Sequence, residues 1–178
     1  MPYDKKIAIV YKSKYGSTMK YAGWLAIKLD ADLYEESDVG IWDLLKYKTI
    51  VFGGPIYNSK IYNLDFILEK YDTIKNKNII IFCPNLGLQS NKEIIDYNFV
   101  EEDMKEKVKI FFLDGSIDYN ELNYLDKFLF RRLLNKKQKE NKLSYEHINL
   151  EKNIDMDRSN KKSIEPILDY IMKKTFNL

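Results

Sequence analysis

Apolar and polar residues occur along this chain in blocks rather than in strict alternation. Four continuous apolar runs and one weaker run predict five strands, and continuous runs are typical of strands covered on both faces. The four lie at Lys6 to Tyr11, Thr49 to Phe52, Asn78 to Cys83 and Val108 to Leu113, and the weaker run at Ala31 to Glu35. These runs predict a buried sheet.

The segments between these runs repeat apolar residues every three or four positions, which predicts helices. The predicted helices span Thr18 to Leu29, Val39 to Leu45, Tyr62 to Tyr71, Asn91 to Lys105 with an interruption near Asn98, and Ser163 to Lys174. Alternating strands and helices imply right-handed crossovers and an α/β fold. We expect a doubly wound, five-stranded, mainly parallel sheet in the order 2-1-3-4-5, with helices on both sides.

One connection is too long for a minimal fold of this class. Residues 114–162 separate the fifth strand from the last helix, whereas connections in compact α/β units usually have about 2 to 6 residues. We expect a helical insertion over about 114–162, with the helix at Asn120 to Lys139 and a polar, mostly irregular connection at Glu140 to Lys162. The whole chain, residues 1–178, is expected to form one domain.

Composition narrows the class of protein. The chain carries 29 Lys and Arg against 27 Asp and Glu, and the resulting charge of +2 is too small to predict a nucleic-acid partner. The single cysteine, Cys83, excludes an intrachain disulfide, and no run reaches the ~20 apolar residues of a membrane span. We expect a cytoplasmic protein.

The loop after the first strand predicts an anion site. Its residues are Ser13, Lys14, Tyr15, Gly16, Ser17 and Thr18. A strand that stops at such a loop and restarts as a helix presents free backbone N–H groups and the positive end of the helix dipole to one point. Three hydroxyls, a lysine and a glycine that permits close approach suit a phosphate group. A simple helix cap is the alternative.

Two further loops follow the third and fourth strands. In a doubly wound sheet they meet the first loop at the edge where the strand order reverses. The second loop carries Pro55, Ile56, Tyr57 and Asn58, and the third carries Asn85, Leu86 and Gly87. Tyr57 could stack on a flat ring, and Asn58 tolerates the positive φ of a tight turn. The alternative for the second loop is a Gly-Pro turn with an incidental tyrosine.

The first loop lacks the motifs of larger phosphate ligands. Neither GxGxxG nor GxxxxGK[ST] follows the first strand, so a phosphomonoester is favoured over a pyrophosphate or triphosphate. A phosphomonoester and a planar ring held by three loops together point to FMN.

Three segments of the chain carry a family resemblance. They are YKSKYGSTMKYAGWLA, FGGPIYNSKI and VKIFFLDGSIDYNELNYLDKFLFRRL. Together they resemble the flavodoxin-domain family that includes menaquinone-dependent protoporphyrinogen oxidase, and the similarity covers nearly the whole chain. Tyr15 stands where ordinary flavodoxins tend to have a third hydroxyl residue, and the third segment separates this family from them.

The resemblance implies a flavodoxin-like fold with FMN, its phosphate in the loop Ser13 to Thr18 and its isoalloxazine ring between Tyr57 and the loop Asn85 to Gly87. It also implies an oxidoreductase that oxidises protoporphyrinogen or a similar reduced substrate with a quinone as acceptor. Two alternatives remain: a flavodoxin-type electron carrier that docks to redox partners, and a flavodoxin-like protein that has lost FMN and binds partners.

Basic residues concentrate on the predicted insertion helix, residues 120–139. They are Lys127, Arg131, Arg132, Lys136, Lys137 and Lys139. The basic face is either simply solvated or in peripheral contact with an anionic membrane, where each basic residue contributes about 1 kcal/mol. Membrane contact would bring the protein to a quinone.

No catalytic residue or metal ligand is assigned. His147 is the only histidine and has no clustered second ligand. Cys83 ends an apolar strand and is expected to pack as a small hydrophobic residue. Asp114 precedes Gly115, and such a pair is first a turn former.

Overall fold

A computed structural model of the chain describes residues 6–99, 101–139 and 155–176. Nine strands lie in these ranges. They are β1 (Ile7–Tyr11), β2 (Asp32–Glu35), β3 (Thr49–Gly53), β4 (Ile56–Tyr57), β5 (Lys60–Ile61), β6 (Asn78–Asn85), β7 (Lys109–Asp114), β8 (Ser116–Asp118) and β9 (Asp155–Asp157).

Five of the strands form the central sheet, in the order β2-β1-β3-β6-β7. Every neighbouring pair in it is parallel. The α/β, flavodoxin-like, doubly wound fold and the predicted strand order are therefore confirmed. Because β1 and β3 end in register at Tyr11 and Gly53, and β6 and β7 at Asn85 and Asp114, the loops that follow them leave the same edge of the sheet.

Seven α-helices and three 3-10 helices accompany the strands in the described residues. The α-helices are α1 (Ser17–Leu29), α2 (Asp65–Leu68), α3 (Tyr71–Ile74), α4 (Asn91–Asn98), α5 (Glu102–Lys107), α6 (Tyr124–Lys139) and α7 (Glu165–Phe176). The 3-10 helices are Glu36–Asp38, Ile41–Lys46 and Lys161–Ile164. The interruption predicted near Asn98 is confirmed, because α4 ends there.

Two predicted helices differ from the structure. The helix predicted over Val39 to Leu45 is the 3-10 helix Ile41–Lys46. The single helix predicted over Tyr62 to Tyr71 is wrong, because two four-residue helices, α2 and α3, occupy this region. They are separated at Lys70, whose φ of −114° and ψ of 12° lie outside the α-helical region. Apolar spacing continues across that break, so the pattern alone does not reveal it.

Hydrophobic residues cover both faces of the sheet. Ala8, Val10 and Phe52 belong to one buried cluster, whereas Ile7, Ile9 and Val51 belong to the other. Successive residues of a strand point to opposite faces. Strands with apolar residues at every position therefore follow directly from a core on each side, as the continuous runs predicted.

The insertion contains more regular structure than the sequence predicts. Its helix α6 begins at Tyr124 rather than Asn120, because Asn123 accepts a hydrogen bond from the Asp126 N–H through its side chain, at 2.8 Å. The stretch Glu140 to Lys162 is not wholly irregular: β9 pairs antiparallel with β8, and a 3-10 helix begins at Lys161. Residues 140–154, part of the predicted connection, lie outside the described residues.

Candidate functional site

A pocket lies at the carboxyl edge of the central sheet, where the loops after β1, β3 and β6 meet. It encloses about 810 Å³, including space open to solvent, and helix α6 contributes to its wall. Doubly wound sheets bind their ligands at this edge.

The loop after β1 turns sharply into α1 at Gly16. The φ of Gly16 is +88°, a left-handed value that disfavours any residue with a Cβ. The Ser13 side-chain oxygen accepts a hydrogen bond from the Gly16 N–H at 3.1 Å, which fixes the turn. The N-terminal residue before α1 provides no side-chain cap, so the first N–H groups of the helix are available to a ligand.

Thr18 offers the most informative polar group of this loop. Its side chain is 0% exposed, and its Oγ1 is buried without a hydrogen-bond partner among the described residues. Leaving such a hydroxyl unpaired costs about 1–3 kcal/mol. Thr18 and Ser17, which is also buried, line the pocket. A ligand oxygen that accepts from Thr18 would remove this cost, and phosphate oxygens are strong acceptors.

The loop after β3 is shaped by two glycines that leave no room for side chains. A Cβ on Gly53 would lie 2.1 Å from Phe82 Cζ, and one on Gly54 would lie 2.6 Å from the Tyr62 carbonyl oxygen. The loop then closes as the β4–β5 hairpin, in which Asn58 has a φ of +49°. The positive φ anticipated for Asn58 is thus present, and the hairpin holds Tyr57 at the pocket.

Tyr57 packs edge-to-face against two other tyrosines. Its ring centroid is 6.4 Å from that of Tyr15 and 5.7 Å from that of Tyr62. Burial raises the pKa of the Tyr57 hydroxyl, so this side chain stays neutral at physiological pH. Tyr57 therefore supplies an uncharged aromatic wall, and its stacking on a ring remains a prediction.

The loop after β6 adds an amide and apolar side chains. Asn85 Oδ1 accepts a hydrogen bond from the Gly87 N–H at 3.0 Å, and Gly87 has a φ of +76°. This tight turn directs Leu88 and Gln89 into the pocket lining. Leu88 also belongs to a small hydrophobic cluster with Leu122 and Phe130 of the insertion.

The insertion provides the part of the pocket wall that sequence reasoning missed. Leu122, Leu129 and Phe130 line the pocket together with Asp126. Helical spacing indicated an amphipathic helix but did not identify its inner face. Leu125 and Phe128, which lie at helical spacing with Leu122 and Leu129, are exposed. Contacts over more than 100 residues of chain, such as Tyr15 with Asp126, depend on the tertiary fold.

Asp126 joins the insertion to the first loop. Its Oδ2 lies 2.5 Å from both Lys14 Nζ and the Tyr15 hydroxyl oxygen, and the Asp126 side chain is 15% exposed. Burial by itself raises the pKa of this carboxyl, but hydrogen bonds from Lys14 and Tyr15 and the lysine charge outweigh it, so the pKa lies below its ordinary value. The same hydrogen bond raises the pKa of Lys14.

All the residues predicted for the cofactor site except Gly16 and Gly87 line this pocket. Those that line it are Ser13, Lys14, Tyr15, Ser17, Thr18, Pro55, Ile56, Tyr57, Asn58, Asn85 and Leu86. Gly16 and Gly87 instead form the turns that bring their neighbours there. Pro84, Leu88 and Gln89, in the same predicted loop as Asn85 and Leu86, also line the pocket. Lining residues that were not predicted are Gly115, Ser116, Leu122, Asp126, Leu129 and Phe130.

The remaining sequence candidates contribute little to this site. Cys83 is 0% exposed, and burial raises the pKa of its thiol, so it packs as a neutral apolar residue. His147 lies outside the described residues. Within those residues no group of acidic, histidine or cysteine side chains could hold a metal ion, and no described helix is both long and apolar enough to cross a bilayer.

Several solved structures are similar to this chain at low sequence identity. The rubredoxin oxygen:oxidoreductase of Desulfovibrio gigas is 17% identical, with a TM-score of 0.45 over 80% of this chain and 38% of that one. Oxidised flavodoxin 2 from Bacillus cereus is 18% identical, with a TM-score of 0.44 over 75% of this chain and 99% of that one. A WrbA-like flavodoxin from Agrobacterium tumefaciens is 16% identical, with a TM-score of 0.43 over 74% and 97%. This chain therefore spans 38% of the length of the first protein.

The sequence of the chain matches one protein family over most of its length. No curated protein matches the chain significantly, but the model of the flavodoxin domain matches residues 8–144, which is well over half of the chain. That match implies FMN as the cofactor. The pocket fits FMN, because a helix N-terminus with a partnerless buried threonine hydroxyl faces the same space as an aromatic wall. The chain belongs to the flavodoxin-domain family, with FMN as its cofactor.

Proposed function

We propose that this protein is an FMN-dependent oxidoreductase that takes electrons from a small reduced substrate, of the protoporphyrinogen type, and passes them to a quinone. The apolar wall that the insertion adds to the pocket is the observation that carries this proposal. Leu122, Leu129 and Phe130 turn the carboxyl edge of the sheet into a walled pocket. Such a wall suits a small molecule with an apolar ring system.

Different residues of the pocket would bind the phosphate and the ring of FMN. We propose that Ser13, Ser17 and Thr18 bind the FMN phosphate with the first N–H groups of α1. The flavin supplies the redox chemistry when bound, and the protein tunes it through nearby charges and hydrogen bonds. Tyr57 and Leu86 would flank the ring, and Phe130 would keep water from it. No residue is assigned to proton transfer.

The test is anaerobic reduction of the FMN-loaded protein. Protoporphyrinogen should bleach the flavin absorbance, and a water-soluble quinone should restore it. Leu129→Glu places a charge in the pocket wall and should slow bleaching by the substrate, while chemical reduction by dithionite stays unchanged. The matched control is Leu125→Glu, on the 66% exposed side of the same helix. A flavin that protoporphyrinogen cannot reduce would contradict the proposed substrate.

A flavodoxin-type electron carrier is the second candidate, because proteins of this family transfer electrons to redox partners. This role would not need the apolar wall that the insertion adds. It predicts rapid exchange of electrons with a partner protein and no reduction by protoporphyrinogen. The alternative of a protein that has lost FMN is not supported by the family match or by the fit of the Thr18 region.

The proposed quinone acceptor lies in a membrane. We therefore propose, as the charge of the insertion helix predicts, that residues 120–139 make peripheral contact with an anionic bilayer. The side chains of Lys136, Lys137 and Lys139 lie outside the described residues, and Lys127, Arg131 and Arg132 provide the described positive charge of α6.

A further inference from the structure

Helix α6 presents two different faces. One face turns to the pocket and to the small cluster above it: Phe130 is 6% exposed and Leu134 is 1% exposed. The opposite face carries Tyr124, Leu125 and Phe128, which are 92%, 66% and 60% exposed. Three large apolar side chains within two helical turns form a contiguous exposed patch, and such patches mark interaction sites.

Arginines continue this outer face. Arg131 follows Phe128 by three positions and Arg132 follows it by four, which places both next to the apolar patch on the helix surface. Both arginines are exposed. Asp126 is the only acidic residue in the sequence of α6, and it turns inward to Lys14 and Tyr15. The outer face therefore combines apolar and cationic side chains without a described carboxylate.

Further positive charge lies at the edge of this face. Lys127 Nζ and Arg131 Cζ each lie 5.4 Å from the centroid of the Tyr119 ring. These cation–π contacts hold both cations at the surface of the insertion. The resulting surface has its positive charge around a protruding apolar centre.

We propose that the outer face of α6 is a lipid-binding surface, on which Tyr124, Leu125 and Phe128 enter the interface of an anionic bilayer while Arg131 and Arg132 bind lipid phosphates. Charge complementarity selects this occupant, because cationic residues beside exposed aromatic and aliphatic side chains are the pattern of helices that lie in a membrane interface. This inference deepens the proposed function, since it assigns the membrane contact to specific side chains.

The arrangement has a direct consequence for the quinone. The inner face of the same helix supplies Leu129 and Phe130 to the pocket. A bilayer bound to the outer face would therefore lie one helix diameter, about 10 Å, from that pocket wall. A quinone dissolved in the lipid would then be close to the flavin site without leaving the membrane region.

Vesicle sedimentation tests the surface directly. The full chain should bind vesicles of mixed phosphatidylglycerol and phosphatidylcholine at low salt, and should bind pure phosphatidylcholine much more weakly. Arg131→Gln with Arg132→Gln should weaken binding about 30-fold, since each basic residue contributes about 1 kcal/mol. Tyr124→Ser, Leu125→Ser and Phe128→Ser together should weaken it at least ~100-fold.

Matched controls separate this surface from general effects. The triple variant Ile27→Ser, Trp42→Ser and Tyr97→Ser removes three exposed apolar residues elsewhere, and Lys28→Gln with Lys48→Gln removes two charges elsewhere. Both controls should bind vesicles as the wild type does. Absence of binding at low salt, or equal losses in the controls, would overturn the proposal. A concentration-dependent dimer that the apolar triple variant abolishes would assign the patch to a second copy instead.

The result of the vesicle experiment does not depend on the proposed redox reaction. Binding is measured with and without FMN, and no step of the measurement uses flavin reduction. A protein that binds vesicles but is not reduced by protoporphyrinogen would retain this surface and lose the proposed substrate. The opposite result would retain the reaction and lose the surface.

Discussion

The hydroxyl of Thr18 is not satisfied by the described part of the folded chain. Its hydroxyl is fully buried and has no partner among the described residues. Proteins rarely bury polar groups in this way, because the lost hydration is not recovered. The same cost becomes a gain in affinity when a ligand supplies the missing acceptor. We therefore propose Thr18 as a binding residue, because the described part of the chain provides no partner for its hydroxyl.

Replacing Thr18 by valine should separate folding from binding. Thr18→Val keeps the shape and removes the hydroxyl, so the melting temperature of the FMN-free protein should be unchanged or higher. Affinity for FMN should fall roughly 10- to 100-fold, since a hydrogen bond to a charged group contributes about 1.5–3 kcal/mol. Riboflavin, which lacks the phosphate, should bind both proteins equally in fluorescence titrations. The control is Thr73→Val in α3, and an equal loss for riboflavin would contradict a phosphate contact.

The carboxyl group of Asp126 makes the contact between the insertion and the first loop depend on pH. Its carboxyl pKa is lower in the folded protein than in an unfolded chain, so its stabilising contribution is present above the unfolded value of about 3.9. That contribution is lost as the pH falls through the lower, folded pKa. Lys14 has a raised pKa, so its share is complete below about 10.4 and is lost as the pH rises through the folded value.

Asp126→Asn should remove the acid part of this pH dependence. The free energy of unfolding of the wild type, measured with urea from pH 2 to 7, should fall more steeply below pH 4 than that of the variant. The difference between the two proteins should therefore be largest near neutral pH and should shrink in acid. Asp169→Asn, at an exposed position on α7, is the control. A difference that does not change with pH would contradict the ion pair between Asp126 and Lys14.

At the scale of elements, the neighbouring strands β3 and β6 pack closely where the Phe82 ring meets Gly53. Phe82 is 0% exposed, and its ring occupies the space where a Gly53 side chain would lie, at 2.1 Å from an added Cβ. The ring is enclosed and cannot move aside at low cost. Glycine at the end of β3 is thus required by packing on the neighbouring strand as well as by the loop that follows.

Gly53→Ala should destabilise the protein by about 1–3 kcal/mol through overpacking. Adding Phe82→Leu should recover part of that loss, because the smaller side chain makes room for the new methyl group. The free energies of unfolding of the two single variants and the double variant would give the coupling between the positions. Gly23→Ala, in α1 with open space around its Cβ, is the control. Strict additivity of the two changes would show that the predicted contact does not exist.

The elements themselves were predicted to different degrees. The central strands were recovered nearly to the residue, because strands buried on both faces are apolar at every position. The β4–β5 hairpin and the β8–β9 pair were missed, since strands of two or three residues are too short for a periodic signal. The three loops of the pocket followed from the topology. The wall from α6 did not, because its position is fixed by long-range contacts such as Lys14 with Asp126.

At the scale of the whole molecule, the pocket is poor in negative charge. Among the described residues that line it, only Asp126 is acidic, and it is hydrogen-bonded to Lys14 and Tyr15. Negative charge near a flavin disfavours its reduced anionic form, so its scarcity here predicts a reduction potential less negative than that of an ordinary flavodoxin. Such a potential suits acceptance of electrons from an organic substrate.

Adding one carboxylate tests this electrostatic argument. Gln89→Glu places a charge at a buried position of the pocket lining and should make the potential of the bound FMN more negative in an equilibrium redox titration. Asn135→Asp adds the same charge on the exposed side of α6 and should shift the potential much less. A wild-type potential as low as that of ordinary flavodoxins would contradict the prediction.

The antiparallel pairing of β8 with β9 has a consequence for how this molecule could evolve. Asp118 lies opposite Asp155, so the chain between them leaves and returns at one place, and the order of the central sheet does not depend on its length. A short turn that joined Asp118 to Asp155 would keep the pairing of β8 with β9. The segment between them could therefore be replaced as one unit. Under the proposed function, substrate choice and membrane attachment would then be gained or lost together in a single genetic event, while the central sheet stays unchanged.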